Sequence, residues 1–370
     1  MKVPFPGAID CDLHPAMPSA TALLPYLGEY WRDQIVNRHI DRYAFNLTSY
    51  PPNSPLSARP DWRAQLRGDD LDAIRRQALD PFGTQLAICN VLHGALAFFN
   101  EDMAAAFCSA VNDWAAKELL DREPRLRASI LVPVHNPALA VAEIERLSGD
   151  RRFVQVLLLA MGEMLLGRRL YWPIYEAAQR HELVIGVHAG STYHHAPTAS
   201  GWPAHRVEDY IAQSTAFESQ LVSFLAEGVF QKFPQLKVVL IESGFTWLPT
   251  LLWRTSKTWR GVRPEVPWID RPPADIIREH VRLTLQPIDA PKNEPQFVAR
   301  TLEHIGSEHM LLFSTDYPHW HFDGEDVLPD GLTEPTIRRL LIGNALETYP
   351  RLREEAPMSD NRSGNKETVP

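Results

Sequence analysis

Near its amino terminus the chain reads Ile9-Asp10-Cys11-Asp12-Leu13-His14, an apolar run that ends in an aspartate and a histidine. Three later apolar runs end in the same kinds of side chain, at His188, Glu242 and Asp316. When strands lie parallel in a barrel, residues that follow different strands converge on one mouth. These positions therefore predict a metal site at the carboxyl ends of barrel strands.

The rest of the chain alternates between apolar runs and helical patterns. This alternation is typical of a parallel sheet that is covered on both faces. The strands are predicted at residues 7–13, 84–89, 127–132, 153–159, 183–188, 237–242, 280–285 and 310–315. Eight such units favour an α/β fold closed into a (β/α)8 TIM-like barrel with lid insertions. A doubly wound open sheet is the alternative, but no Gly-x-Gly-x-x-Gly turn follows the first strand.

The domain organisation follows from proline content and from the polar carboxyl terminus. We predict one metal-dependent barrel domain over residues 1–350, with insertions at about residues 40–65 and 189–210. Several of the 31 prolines lie in the first insertion, where they prevent regular helix or strand. Residues 351–370 are polar and charged without an apolar period, which predicts a disordered tail.

Composition excludes several classes of function. The net charge is −9, whereas a nucleic-acid-binding protein typically carries an excess of positive charge on one face. The apolar runs are too short to span a bilayer, and the amino terminus does not resemble a signal peptide. The three cysteines form no Cys-x-x-Cys pair. We therefore expect a cytoplasmic protein that binds no nucleic acid and no membrane.

The first motif places two ligand types on one face. Side chains alternate along a strand, so Asp10, Asp12 and His14 share one side of the first strand. A carboxylate oxygen and an imidazole nitrogen two residues apart can chelate one divalent ion. Taken alone, this pair is also compatible with a capping aspartate and a loop histidine. In the same way, His188 alone is compatible with a hydrogen-bonded core histidine.

Glu242 and Asp316 follow strongly apolar strands. A buried carboxylate is costly unless it meets a cation, a network of donors or a metal ion. A structural ion pair with an arginine in the barrel would also satisfy each of them. The conjunction with Asp12, His14 and His188 at the ends of other strands favours a divalent metal ion.

Together, the motifs identify a family. The chain resembles the amidohydrolase-related (amidohydrolase 2) branch of the amidohydrolase superfamily, which includes aminocarboxymuconate-semialdehyde and hydroxybenzoate decarboxylases. The resemblance covers residues 9–348 and depends on five landmarks: Ile9-Asp10-Cys11-Asp12-Leu13-His14, Pro173-Ile174-Tyr175-Glu176-Ala177-Ala178, Phe233-Pro234-Gln235-Leu236-Lys237-Val238-Val239-Leu240, Ser314-Thr315-Asp316-Tyr317-Pro318-His319 and Gly343-Asn344-Ala345.

The resemblance implies a metal-dependent barrel that forms a homo-oligomer. It implies Asp12, His14, His188 and Asp316 as metal ligands, with Asp316 also transferring protons. The sixth strand departs from the family, because Glu242 stands where a histidine is usual.

The first functional hypothesis is an enzyme that hydrolyses or non-oxidatively decarboxylates a small carboxylated or cyclic organic substrate, which we expect to be anionic. Its ion would be Zn²⁺ or Mn²⁺. Asp316, Glu242 and His319 are the candidate acid and base groups. For His319, a loop histidine packed on Trp320 is the alternative. We also predict a substrate pocket lined by His194, Trp202 and Gln286.

Two other hypotheses remain open. The same barrel could carry a non-haem di-iron oxygenase, with Glu242 as an added carboxylate ligand that hardens the site and favours iron. It could also be a non-catalytic binding barrel. Metal analysis distinguishes the three hypotheses. A binding barrel should purify without metal, and a di-iron oxygenase should contain two irons per chain.

Overall fold

The computed structural model describes residues 6–40, 71–191, 200–291, 294–319 and 327–353. In these residues, eight parallel strands form one sheet in chain order. The strands are β1 (Ile9–Leu13), β2 (Leu86–Cys89), β3 (Leu126–Leu131), β4 (Phe153–Met161), β5 (Val184–Ser191), β6 (Val238–Ile241), β7 (Val281–Thr284) and β8 (Leu311–Leu312). Each predicted strand is present, within a few residues at its ends.

The sheet closes between its first and last strands. Leu13 pairs with Tyr317 in parallel. The backbone N–H of Cys11 donates to the Phe313 carbonyl at 2.9 Å, and that of His14 donates to the Tyr317 carbonyl at 2.8 Å. These bonds join β1 to β8 and the residues that follow it, which confirms the (β/α)8 barrel and excludes the open-sheet alternative.

The helices surround the barrel. They are α1 (Ala20–Leu23), α2 (Glu29–Asn37), α3 (Leu71–Ile74), α4 (Glu101–Trp114), α5 (Pro137–Leu147), α6 (Trp172–Arg180), α7 (Arg206–Ala226), α8 (Val229–Lys232), α9 (Leu248–Val262), α10 (Pro273–His280), α11 (Pro295–Ile305), α12 (Glu334–Arg338) and α13 (Asn344–Thr348). Asn100 caps α4 by accepting from the Met103 N–H at 3.0 Å. None of the helices in the described ranges has the length and apolarity needed to cross a membrane.

Every residue of the longest strand is buried. All nine residues of β4 lie in the core, as expected when both faces of a parallel sheet are covered. The burial explains the continuous apolar runs from which the strands were predicted. It also means that any polar side chain on these strands needs a partner inside the barrel.

The carboxyl-terminal boundary differs from the prediction. Arg351 lies in a 3₁₀ turn, Pro350–Leu352, and is buried. Its guanidinium donates to the Phe153 carbonyl at 2.7 Å, at the start of β4. The prediction of disorder is therefore wrong for residues 351–353, because a charged residue packs against the barrel through its hydrogen bonds. Residues 354–370 lie outside the described residues.

The first predicted insertion falls almost entirely outside the described residues, which omit 41–70, whereas only residues 192–199 of the second are omitted. Around the second of these gaps, β5 continues to Ser191 and α7 begins at Arg206. The bounds of the single barrel domain remain a prediction.

Candidate metal centre

The five predicted ligands converge at the carboxyl ends of the strands. His14 Nε2 lies 3.1 Å from Asp12 Oδ1 and 3.3 Å from Asp316 Oδ1. His188 Nε2 lies 3.6 Å from both Asp12 Oδ1 and Glu242 Oε2. Four different strands therefore deliver these side chains to one place, as the sequence predicted.

The two histidines point the same nitrogen into the cluster. His14 Nδ1 lies 3.0 Å from the Asn90 carbonyl, and His188 Nδ1 lies 2.6 Å from the Ala189 carbonyl. A carbonyl only accepts, so each Nδ1 carries the hydrogen and donates it. In the neutral ring, Nε2 then presents its lone pair to the carboxylates. Metal-binding histidines are oriented in this way by a partner on the other nitrogen.

Four buried atoms of the cluster have no hydrogen-bond partner in the part of the chain that the structure describes. They are Asp12 Oδ2, His14 Nε2, His188 Nε2 and Asp316 Oδ2. Buried polar atoms are nearly always paired, so four unpaired ones in one place require an explanation. Nitrogen and carboxylate oxygen are suitable donors for a divalent ion such as Mn²⁺ or Zn²⁺. The residues present therefore fit a metal ion.

The charges of the cluster favour a cation. Burial opposes ionisation of Asp316, but His319 and His14 outweigh it and lower its pKa to about 2. Burial likewise opposes ionisation of Asp12, yet His14 and His188 hold its pKa well below the ordinary range. In turn the carboxylates raise the pKa of His14 and of His188 against the effect of burial. The pocket thus stabilises positive charge, and a divalent ion can replace those protons.

Two of the carboxylates lie on strained backbone. Glu242 has φ 59° and Asp316 has φ 54°, the left-handed region that residues other than glycine rarely adopt. Such a conformation costs about 1 kcal/mol or more and is concentrated at functional sites. The Asp316 N–H donates to the Asp12 carbonyl at 3.1 Å, and the Glu242 N–H donates to Thr284 Oγ1 at 2.9 Å. These bonds hold both strained residues at the mouth.

Glu242 is held between the cluster and helix α7. The Tyr210 hydroxyl donates to Glu242 Oε1 at 2.7 Å, which leaves Oε2 facing His188. Glu242 can therefore act as a ligand or as an acid beside the ligands. Sequence reasoning missed Tyr210, because a tyrosine within a long helix carries no signal of its partner.

His319 reaches the mouth, as one of its two predicted roles requires. Its Nδ1 lies 2.8 Å from Asp316 Oδ1. Its ring stacks on that of His14 with centroids 4.1 Å apart. His14, Glu242, Asp316 and His319 have ligand atoms that lie within 4.8 Å of one another, as do Asp12, His14 and His188.

The three predicted pocket residues have different positions. Gln286 is buried after β7, and its Nε2 has no partner among the described residues. Trp202 is 62% exposed and lies outside the ligand groups. His194 lies outside the described residues. Their part in binding a substrate remains a prediction.

Asn90 is a further polar residue of the site, and sequence reasoning missed it. It follows β2 directly and is fully buried, and its side chain donates to Asp12 Oδ1 at 2.8 Å. Its position after an apolar strand matches that of the predicted ligands. An amide carries no charge, so a pattern of charged residues at strand ends does not include it.

Comparison with known sequences finds a family and related enzymes. A sequence model described as amidohydrolase matches residues 9–351. The gamma-resorcylate decarboxylase of Polaromonas sp. strain JS666 is 24% identical over 281 residues, which cover 71% of this chain and 81% of that protein. The gamma-resorcylate decarboxylase of Rhodococcus jostii strain RHA1 is 24% identical over 294 residues, which cover 75% and 87%.

Solved structures share the barrel. A dihydroxybenzoic acid decarboxylase from Polaromonas sp. JS666, with bound manganese and the inhibitor 2-nitroresorcinol, superimposes with a TM-score of 0.66 at 20% identity, covering 94% of this chain and 97% of that chain. The 5-carboxyvanillate decarboxylase from Sphingomonas paucimobilis gives a TM-score of 0.66 at 18% identity, covering 93% and 99%. At these identities the likeness establishes the fold.

Proposed function

Because the chain belongs to the amidohydrolase family, we propose that it is a divalent-metal-dependent decarboxylase that acts on a small aromatic acid without oxidation. Membership confirms the family predicted from the sequence, and with it a metal-dependent hydrolase or carboxy-lyase. The gamma-resorcylate decarboxylases among its relatives favour decarboxylation over hydrolysis. The manganese in a structural neighbour favours Mn²⁺ over Zn²⁺ or iron. The di-iron alternative has no support from these relatives.

The proposal depends on one observation above all, the four unpaired buried atoms at the mouth. Asp12, His14, His188 and Asp316 would hold the ion through them. Mn²⁺ favours six-coordinate geometry, so four protein ligands would leave positions open for a substrate. Glu242 and His319 border the same space and remain for acid–base chemistry.

Asp12, His14, His188 and Asp316 would hold an ion that serves to orient the substrate carboxylate. In the proposed step the bond between the ring carbon and the carboxylate breaks and CO₂ leaves. The electron pair stays on the ring carbon, which takes up one proton. We assign this proton to Glu242, because it borders the site without belonging to the four proposed ligands. Tyr210 holds the Glu242 carboxylate in place for this transfer.

The test is a decarboxylation assay with matched metal analysis. Protein purified under anaerobic conditions is analysed for metals and then supplied with Mn²⁺ and a panel of dihydroxybenzoates and 5-carboxyvanillate. We expect release of CO₂ and, in D₂O, one deuterium at the vacated ring carbon. A chelator should abolish turnover and Mn²⁺ should restore it. Hydrolysis of an amide or lactone without CO₂ release, or two irons with O₂ consumption, would overturn the proposal.

The homo-oligomeric state and the cytoplasmic location are still predictions. A single measurement of mass in solution by light scattering tests the first of them.

A further inference from the structure

Asn90 touches both candidate ligands of strand β1. Its side-chain Nδ2 donates to Asp12 Oδ1 at 2.8 Å, and its backbone carbonyl accepts from His14 Nδ1 at 3.0 Å. Its own N–H donates to the Leu13 carbonyl, between the two ligands, at 2.8 Å. One buried residue, directly after the neighbouring strand β2, thus contacts every part of the Asp12-Leu13-His14 motif.

The orientation of the Asn90 amide is determined by two donors. Asn90 Oδ1 lies 2.5 Å from Ser129 Oγ and 3.0 Å from Gln155 Nε2, and both can donate to it. An amide oxygen that accepts twice leaves the NH₂ group on the other side, where it donates to the Asp12 carboxylate. If the amide were flipped, its NH₂ group would face the NH₂ group of Gln155 and its oxygen would face the Asp12 carboxylate. Neither contact could be a hydrogen bond.

The network continues across the barrel interior to the carboxyl-terminal segment. Gln155 on β4 accepts at Oε1 from the Tyr349 hydroxyl at 3.0 Å. Asn90, Gln155 and Tyr349 are fully buried. The space around Gln155 is tight, since a Cβ on Gly186 would come within 3.0 Å of its side chain. These side chains therefore have little freedom to move, and they hold Asn90 rigidly.

We propose that Asn90 is a positioning residue of the metal centre, an inference that rests on the proposed function. Its bond to Asp12 Oδ1, the oxygen that faces His14 Nε2 and His188 Nε2, fixes the orientation of the carboxylate towards the ion. By accepting from His14 Nδ1 it keeps Nε2 as the metal-binding nitrogen. Partners that orient metal ligands in this way typically raise metal affinity by about 10–100-fold.

The chain offers a matched control in Asn112. This asparagine is also fully buried, and it also makes three hydrogen bonds. It donates to the Leu131 carbonyl and to Glu143, and it accepts from the Leu131 N–H. No candidate ligand is among these partners. Removal of either amide costs stability, but only removal of Asn90 should disturb the metal.

The experiment compares wild-type protein with Asn90→Ala and Asn112→Ala. Metal-free protein is titrated with Mn²⁺ by calorimetry, and the Co²⁺-loaded protein is examined for its d–d absorption. We expect Asn90→Ala to bind Mn²⁺ about 10–100-fold more weakly and to shift the Co²⁺ bands. Asn112→Ala should lower the melting temperature and leave both metal readouts at the wild-type values.

A milder variant keeps the test informative should Asn90→Ala not fold. Gln155→Met removes one donor from Asn90 Oδ1, and we expect Mn²⁺ affinity to fall by a few-fold in the same direction. Wild-type affinity and Co²⁺ bands in Asn90→Ala, or in Gln155→Met where only that variant folds, would overturn the inference and leave the proposed function standing. Absence of Mn²⁺ binding by the wild-type protein would instead overturn the proposed function, and the inference with it.

Discussion

Buried carboxylates at the two ends of the barrel have opposite surroundings. Glu123, which precedes β3 at the amino end, is 4% exposed. It accepts from Arg75 Nε at 2.7 Å, from Arg125 Nε at 2.9 Å and from the Arg125 N–H at 3.2 Å. At the carboxyl end, Asp12 and Asp316 are fully buried, and Oδ2 of each has no hydrogen-bond partner among the described residues.

The difference shows how the barrel separates stability from function. Glu123 meets donors that belong to the chain, so its burial is compensated in the folded protein itself. Hydrogen bonds from Arg125, with those from Arg75, lower its pKa to about 2. The chain offsets the cost of burying the carboxylates at the mouth only in part, and a bound cation can offset the rest. Mutations at the two ends should therefore affect different properties.

The largest effect is expected from removing a ligand at the mouth. Asp316→Ala should weaken Mn²⁺ binding by more than about 100-fold, beyond the range for an orienting partner, and abolish turnover. Asp12→Ala and His188→Ala should do the same. The fold should survive, because the barrel hydrogen bonds do not involve these side chains. Elemental analysis and circular dichroism check both parts, and retained metal in all three variants would contradict the ligand assignment.

The second prediction concerns the residue in which this chain departs from its family. Glu242→His removes the proposed acid and the acceptor of the Tyr210 hydroxyl. With one ion bound, we expect turnover to fall by about 100-fold or more, since a positioned acid typically contributes about 10²–10⁴-fold, while the metal content stays near one per chain. Steady-state kinetics and metal analysis of the same sample measure this. Expulsion or exchange of one of two ions would place Glu242 among the ligands instead.

The smallest effect is expected at the amino end, where stability and not metal should change. Glu123→Gln should lower the free energy of unfolding at pH 7 by about 1–2 kcal/mol. The pKa of Glu123 is depressed, so its contribution is present above its ordinary value of 4.5 and is lost as the pH falls towards about 2. Urea unfolding should show a smaller difference in the free energy of unfolding between the variant and wild type at pH 3 than at pH 7.

Mn²⁺ binding is the control measurement for this variant. Glu123→Gln should bind Mn²⁺ with wild-type affinity, whereas Asp316→Ala should not. If both variants lost metal and stability alike, the two ends of the barrel would not differ as proposed.

The strands and the convergence of the candidate ligands could be predicted, whereas the hydrogen-bond partners of these side chains could not. Val238–Ile241 followed by Glu242 is a local pattern, and local patterns predict where a strand ends. Tyr210 lies 32 residues before Glu242, and nothing near it indicates which carboxylate its hydroxyl meets. Asn90 occupied a predictable place, but its role depends on Ser129 and Gln155, which belong to two other strands.

The sequence by itself determined the eight parallel strands and the placing of the candidate metal ligands at their carboxyl ends. Both follow from the order of apolar and polar residues along short segments. Only the tertiary structure decided which buried carboxylates are satisfied by the chain and which are left for a cation. This depends on ångström distances between atoms on different strands, which the register and the closure of the barrel set.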